Sequence, residues 1–282
     1  MPIDPATSIG AVRLTVADLD RVRAFYERAL GLRALEGEGD VVRLGAPSGP
    51  ALVELVGDPD APRRPSRSTG LFHLAILVPT RADLALALER VVRAGGAFSG
   101  ASDHLVSEAL YLSDPEGNGI EIYRDRPRAE WRYDDGELRM ATLALDLEGL
   151  LAERPTGDGD EGMASGTRVG HVHLQVADLA AAERFYAGVL GFDVTVRGYP
   201  GALFLSAGGY HHHIGLNTWA GEGAPSPPPG GRGLRSFEVD LAGPEELERL
   251  GAAFERAGVD AQPEGGGLVA TDPSGNRVLL RA

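Results

Sequence analysis

The chain repeats itself, and this repeat limits its fold more than any other feature. Segment 11–31, AVRLTVADLDRVRAFYERALG, returns as segment 171–191, HVHLQVADLAAAERFYAGVLG, at an offset of 160 without a gap. Leu14, Val16, Ala17, Asp18, Leu19, Phe25, Tyr26, Leu30 and Gly31 recur as Leu174, Val176, Ala177, Asp178, Leu179, Phe185, Tyr186, Leu190 and Gly191. A second pair, 70–84 (GLFHLAILVPTRADL) and 233–247 (GLRSFEVDLAGPEEL), follows its own pattern. Each member of that pair runs through a helical stretch to Ala-Gly (Ala94-Gly95, Ala257-Gly258). Each then reaches a turn, Asp114-Pro115-Glu116-Gly117-Asn118 or Asp272-Pro273-Ser274-Gly275-Asn276. Four modules result, at 8–58, 70–125, 168–219 and 232–281. Repeats of this length mean that one supersecondary unit is the building block.

Inside a module the period changes in a fixed order. Val12, Leu14 and Val16 alternate as a half-buried strand does. Asp18 suits a helix N-cap, Val22, Phe25, Tyr26 and Leu30 then follow helical spacing, and Gly31 ends the helix. Three short β-rich runs come next, 32–35, 41–44 and 51–56. Each module therefore reads βαβββ, and the expected fold class is α+β. The domain reading is a tandem of modules over 1–125, a linker at 126–166, and a second tandem over 167–282. Within the linker a short helix is expected near 143–151, followed by an exposed polar stretch at 155–166. The Pro-rich stretch 224–230 reads as a surface loop.

Composition removes several function classes. With 27 basic and 41 acidic residues the formal net charge is −14, which disfavours nucleic acid and anionic lipid as partners. There is no cysteine, hence no disulfide framework and no thiolate metal site. Any metal must be held by His, Asp or Glu. No membrane span and no secretory leader are evident, so a cytoplasmic location is the default expectation.

The arrangement resembles the vicinal oxygen chelate superfamily, which includes extradiol ring-cleaving dioxygenases, glyoxalase I and bleomycin-resistance proteins. The resemblance covers nearly the whole chain and implies modules paired into two cupped, incomplete β-barrels. It also implies metal slots on the first and last strands of each module. First-strand slots fall on Ala11, His73, His171 and Ser236, and last-strand slots on Glu54, Glu121, Gly215 and Leu279. His73, Glu121 and His171 would form the two-imidazole, one-carboxylate face expected for non-haem iron(II). Because the ligand-competent slots are concentrated in modules two and three, the metal site is expected between these two, with module one pairing module four.

Two longer segments sharpen the resemblance toward bacterial catechol 2,3-dioxygenases of the four-module type. SEALYLSDPEGNGIEIY stands at 107–123, with His104 ahead of it, and GGYHHHIGLN stands at 208–217. The one departure is Ser102, two residues before His104, where the family pattern expects other residue types. Carried over by position, His212 is the acid/base, and His104 and Tyr111 hydrogen-bond oxygens of the substrate or of an intermediate. His211 and His213 are expected to line the substrate pocket. The implied cofactor is iron(II), with manganese(II) as a substitute. The implied partners are a catechol and dioxygen, in the breakdown of aromatic compounds, and a homo-oligomer is the expectation that relatives suggest.

Plainer readings stand beside these. A strand histidine is usually packed or exposed rather than a ligand, but His73 and His171 share a repeat-equivalent slot. Glu121 lies between Ile120 and Ile122, so alternation places it on the face opposite these apolar neighbours. Neighbouring residues of a strand face opposite ways, so His211, His212 and His213 cannot all enter one site. Tyr26 and Tyr186 read as core, and Glu54 as an ordinary strand residue. Two other functions fit the fold: a glyoxalase-type isomerase or lyase, and a metal-free protein that binds an aromatic drug. Gly215 cannot supply the fourth ligand that the former commonly uses, and the latter usually lacks the triad.

Overall fold

A computed structural model describes residues 1–155 and 162–282. All four modules run βαβββ. Module one comprises β1 (Ser8–Val16), α1 (Leu19–Phe25), β2 (Arg33–Glu38), β3 (Val41–Gly45) and β4 (Ala51–Gly57). Module two has β5 (Gly70–Leu77), α2 (Arg81–Arg93), β6 (Phe98–Asp103), β7 (Ser107–Ser113) and β8 (Gly119–Asp125). The connecting segment adds β9 (Tyr133–Asp134), β10 (Glu137–Leu138), β11 (Leu143–Ala144) and α3 (Leu147–Ala152). Module three follows with β12 (Arg168–Gln175), α4 (Leu179–Glu183), β13 (Asp193–Val196), β14 (Ala202–Ser206) and β15 (Ile214–Asn217). Module four closes with β16 (Gly233–Asp240), α5 (Pro244–Ala257), β17 (Ala261–Glu264), β18 (Gly267–Thr271) and β19 (Arg277–Arg281). No helix among the described residues is long and apolar enough to cross a membrane.

The chain divides into two compact units. One holds Thr15–Asp60 and His73–Val169. In it β2, β3 and β4 form an antiparallel run, and a second run is ordered β11-β6-β7-β8-β5, with β8 parallel to β5. The other holds Met1–Leu14, Ala61–Phe72 and Gly170–Ala282. Its strand runs are β13-β14-β15-β12 and β17-β18-β19-β16-β1. There β15 lies parallel to β12, and β19 parallel to β16.

Helix signals act where the sequence places them. Asp18 caps α1 by accepting from the Arg21 amide, and Gly31 ends the helix at φ 75°, a left-handed conformation that glycine takes without a Cβ penalty. The helix differs in one respect from a plain α-helix, since Tyr26–Leu30 widens into a π turn. Its repeat partner does the same over Arg184–Val189. Val22, Tyr26, Ala29 and Leu30 of α1 and its π turn are buried, as are Leu84, Ala87 and Val91 of α2, with α1 packed on β4 and α2 on β8. In the second unit Phe185 stacks on Phe254 of α5.

Each Asp-Pro turn is a latch as well as a turn. Asp272 accepts from the Ser274 and Asn276 amides, from Asn276 Nδ2 and from the Tyr186 hydroxyl at 3.0 Å. Asp114 makes the same turn with Glu116 and Asn118. Burial, then the charge of Asp114, pushes the Tyr26 phenol well above its usual range; Asp272 acts likewise on Tyr186. Tyr26 and Tyr186 are core, as their spacing suggests, and Tyr186 also fastens its helix to the turn of the next module. At the residue after Pro, Glu116 accepts from the Ala17 and Asp18 amides, while Ser274 accepts from Ala177.

The connecting segment is more ordered than a tether. The helix expected near 143–151 spans Leu147–Ala152, because Leu143 and Ala144 pair instead with Asp103 and Ser102 of β6. Asp146 caps it by accepting from the Gly149 amide. Of the polar stretch 155–166, residues 156–161 lie outside the described residues. Gly162 accepts from Arg90, and Met163 is buried and donates to the Gly31 carbonyl. Most residues of the Pro-rich loop 224–230 are exposed or half-buried, while Ala224 is buried.

Candidate metal centre

Modules two, three and four share one strand register. Within each, the last-strand slot lies opposite the residue two positions after the first-strand slot. Glu121 pairs with Ala75 beside His73, Gly215 with His173 beside His171, and Leu279 with Glu238 beside Ser236. In these three modules the slots inferred from chain spacing are thus equivalent in register.

On β5 and β8, His73 Nε2 lies 3.0 Å from Glu121 Oε2, and both side chains are nearly buried. Two ligands about 2.1 Å from one ion and about 90° apart would stand about 3.0 Å apart, so this spacing suits neighbouring positions on a metal. One ligand atom each of His73, Glu121 and His171 lies within 4.8 Å of the others, and all three residues are buried. Burying a carboxylate among imidazoles is costly without a compensating cation. The donor set, two nitrogens and one oxygen without sulfur, fits a divalent transition metal.

Tyr111 stands next to this pair because β7 places it in register with Glu121. Its ring centroid is 5.7 Å from that of His73. Its hydroxyl is 2.6 Å from His104 Nε2, and the other ring nitrogen of His104 is 2.7 Å from the Ala141 carbonyl. Ser102, the departure from the family pattern, is a buried β6 residue paired with Ala109 and Ala144.

The histidine run lies in the loop ahead of β15, so strand alternation does not govern it. The ring centroids of His171 and His212 are 4.0 Å apart. His211 Nδ1 is 2.8 Å from His212 Nδ1, a spacing that requires one proton between the two nitrogens. Thr195 donates to the His211 carbonyl at 2.7 Å and fixes the loop. His213 turns elsewhere: its Nδ1 accepts from the Ala207 amide at 3.1 Å, and its ring packs near Tyr210 and Phe192.

His173 was missed in the sequence, although it shares a strand face with His171. Its ring lies over Gly215, where an added Cβ would be 2.9 Å from Cγ. Phe72, Phe204 and Trp219 surround that ring at centroid distances of 5.2, 5.6 and 5.5 Å. Phe204 also meets His212 edge-on at 4.9 Å. An aromatic wall therefore adjoins the histidines, a surface suited to a flat ring. In module one, Glu54 is buried and bound by Arg43 at 2.9 Å.

Comparison with known proteins agrees with this fold. Residues 8–122 and 168–280 match the family described as Glyoxalase/Bleomycin resistance protein/Dioxygenase superfamily. The chain is 45% identical over 274 residues to a protein of Bacillus subtilis (strain 168) named Catechol-2,3-dioxygenase, covering 95% of this chain and 94% of that one. Among solved structures, a protein of Bacillus subtilis subsp. subtilis str. 168 assigned as a dioxygenase superposes with a TM-score of 0.67 at 12% identity, covering 99% of this chain and 86% of that chain. Glyoxalase I from Zea mays gives a TM-score of 0.59 at 19% identity, covering 98% and 92%.

Proposed function

The chain belongs to the glyoxalase/bleomycin resistance protein/dioxygenase superfamily, whose modules curl into half-barrels, and from that premise we propose that it is an extradiol ring-cleaving dioxygenase. The reading is catechol 2,3-dioxygenase-like: both atoms of O2 enter a catechol beside its diol. The observation that carries it is the gathering of His73, Glu121 and His171, in a chain 45% identical to a protein named for that activity. Gly215 adds support, because the fourth slot lacks a donor and sits under the His173 ring.

His73, Glu121 and His171 would hold iron(II), with manganese(II) as a substitute. The ion would supply a common point at which the catechol oxygens and dioxygen meet and between which electrons pass. The remaining work falls to side chains. His212, packed beside His171 and sharing a proton with His211, takes a proton from the catechol hydroxyl and returns one later in the reaction. Tyr111, held from behind by His104, hydrogen-bonds an oxygen of the substrate. Phe204, His173 and Trp219 bind and orient the ring and exclude water from its face. The pairing of module two with module three around the metal, a cytoplasmic location and a homo-oligomeric state belong to the same proposal.

Protein loaded with iron(II) under anaerobic conditions, then given catechol and air, is expected to form a yellow ring-opened product with uptake of dioxygen. Colourless mixtures without dioxygen uptake across a panel of catechols would overturn the proposal.

A further inference from the structure

The connecting segment 126–166 breaks the repeat, yet its Ala141 carbonyl reaches His104. Strand β11 joins β6 by pairing Leu143 with Asp103 and Ala144 with Ser102. Just ahead of it the Ala141 amide donates to the His104 carbonyl at 3.4 Å, and the Ala141 carbonyl is 2.7 Å from His104 Nδ1. A carbonyl oxygen can only accept, so Nδ1 must carry a proton. In a neutral imidazole Nε2 is then a bare acceptor, and its partner at 2.6 Å is the Tyr111 hydroxyl. Tyr111 must donate its single proton to that nitrogen.

We infer that the connecting segment sets the tautomer of His104 and thereby presents Tyr111 to the site as a hydrogen-bond acceptor. A phenol whose proton is held from behind has only lone pairs left in front. The Tyr111 ring lies near that of His73 and the residue is in register with Glu121, so a hydroxyl fixed in this sense suits an incoming hydroxyl rather than an oxyanion. The opposite tautomer would set the lone pair of Nδ1 against the Ala141 carbonyl, two acceptors 2.7 Å apart.

The turn that carries His104 is braced for this purpose. Leu105 adopts φ 70°, a left-handed conformation that a leucine rarely takes. Its amide donates to Asp103 Oδ1, and Asp103 is held by Arg126 at 2.7 Å. His104 donates its own amide to the Ser107 carbonyl at 2.8 Å. Strain of this kind persists only where the surroundings fix it, and here it aims one imidazole. Ala141 is thus a positioning residue acting through its main chain.

The inference rests on the dioxygenase reading for its catalytic meaning, but its test does not need turnover. Full-length protein labelled with 15N in histidine and freed of iron is examined by long-range 1H–15N NMR above pH 8, with His104→Gln identifying the His104 signals. The expected pattern is a protonated Nδ1 and a bare Nε2, unchanged in Tyr111→Phe because the lock comes from Ala141. Leu143→Pro, which breaks the β11 pairing, is expected to lose that pattern. It should also lower kcat of the iron-loaded enzyme about three- to tenfold with KM little changed, the range expected for one lost hydrogen bond. A protonated Nε2 in the parent, loss of the pattern in Tyr111→Phe, or its retention in folded Leu143→Pro would overturn the inference. Should Leu143→Pro not fold, the parent and Tyr111→Phe spectra decide it. A protein with the expected tautomer that opens no catechol would sink the proposed function and leave this inference standing.

Discussion

Replacing Glu108 by Gln removes one negative charge that three arginines share. Glu108 is 2% exposed on β7. Its Oε2 accepts from Arg81 Nε at 2.8 Å and Arg124 Nε at 2.7 Å, and Oε1 from Arg126 Nη2 at 3.2 Å. Arg81 opens α2 and also donates to the Gly149 carbonyl of α3, so one carboxylate ties two strands to two helices. Breaking a buried ion pair costs about 3–5 kcal/mol. The arginine side chains keep 12–25% exposure and Arg126 retains Asp103, which favours the lower end, about 3 kcal/mol. At about 2 °C per kcal/mol for a chain of this size, Tm should fall by about 6 °C. Gln conserves the volume, so packing is not the variable. Urea titration and calorimetry on both proteins give the difference. A loss below about 1 kcal/mol would refute the reasoning, since that is what a solvated surface pair contributes.

Burial holds the Asp272 carboxyl above its ordinary value of 3.8, against the lowering effect of its hydrogen bonds from Asn276, Ser274 and Tyr186. The folded state therefore binds this proton more tightly than the unfolded chain. The resulting stability is complete below the unfolded value and is lost as pH rises through the raised one. Urea titrations from about pH 4 to about pH 6 should show the parent losing stability relative to Asp272→Asn, and a constant difference would contradict the assignment. Gly215→Ala puts a Cβ 2.9 Å from the His173 ring and should cost about 1–3 kcal/mol, with a changed near-ultraviolet circular dichroism signal from Trp219. An unchanged spectrum and unchanged Tm would show that the ring yields freely.

Much of the fold was legible because repeats expose their own boundaries. The period shift from 2 to 3.6, Asp18 as N-cap and Gly31 as helix stop are local signals, and local signals survive folding. The equivalence of Glu121 and Leu279 was legible because equal spacing from an Asp-Pro turn gives equal register in a parallel strand pair. His173 was overlooked because only spacing to repeats was weighed, whereas its share of a strand face with His171 is an alternation signal. Strand alternation does not govern His211–His213, because the run lies in a loop where the Thr195 hydroxyl bonds the His211 carbonyl and the His213 amide bonds the Leu205 carbonyl. The Ala141 contact left no trace in the sequence, since a main-chain carbonyl belongs to every residue. The π turns at Tyr26–Leu30 and Arg184–Val189 are likewise invisible to a pattern that counts 3.6 residues per turn.

The central claim is that His73, Glu121 and His171 share one ion. Equilibrium dialysis against iron(II) under anaerobic conditions, with metal counted per chain, tests it directly in the parent and in His73→Ala, Glu121→Gln and His171→Ala. The account predicts a single tight ion in the parent and its loss in every one of the three variants. Full iron binding by folded His171→Ala, or none in the parent, would contradict it.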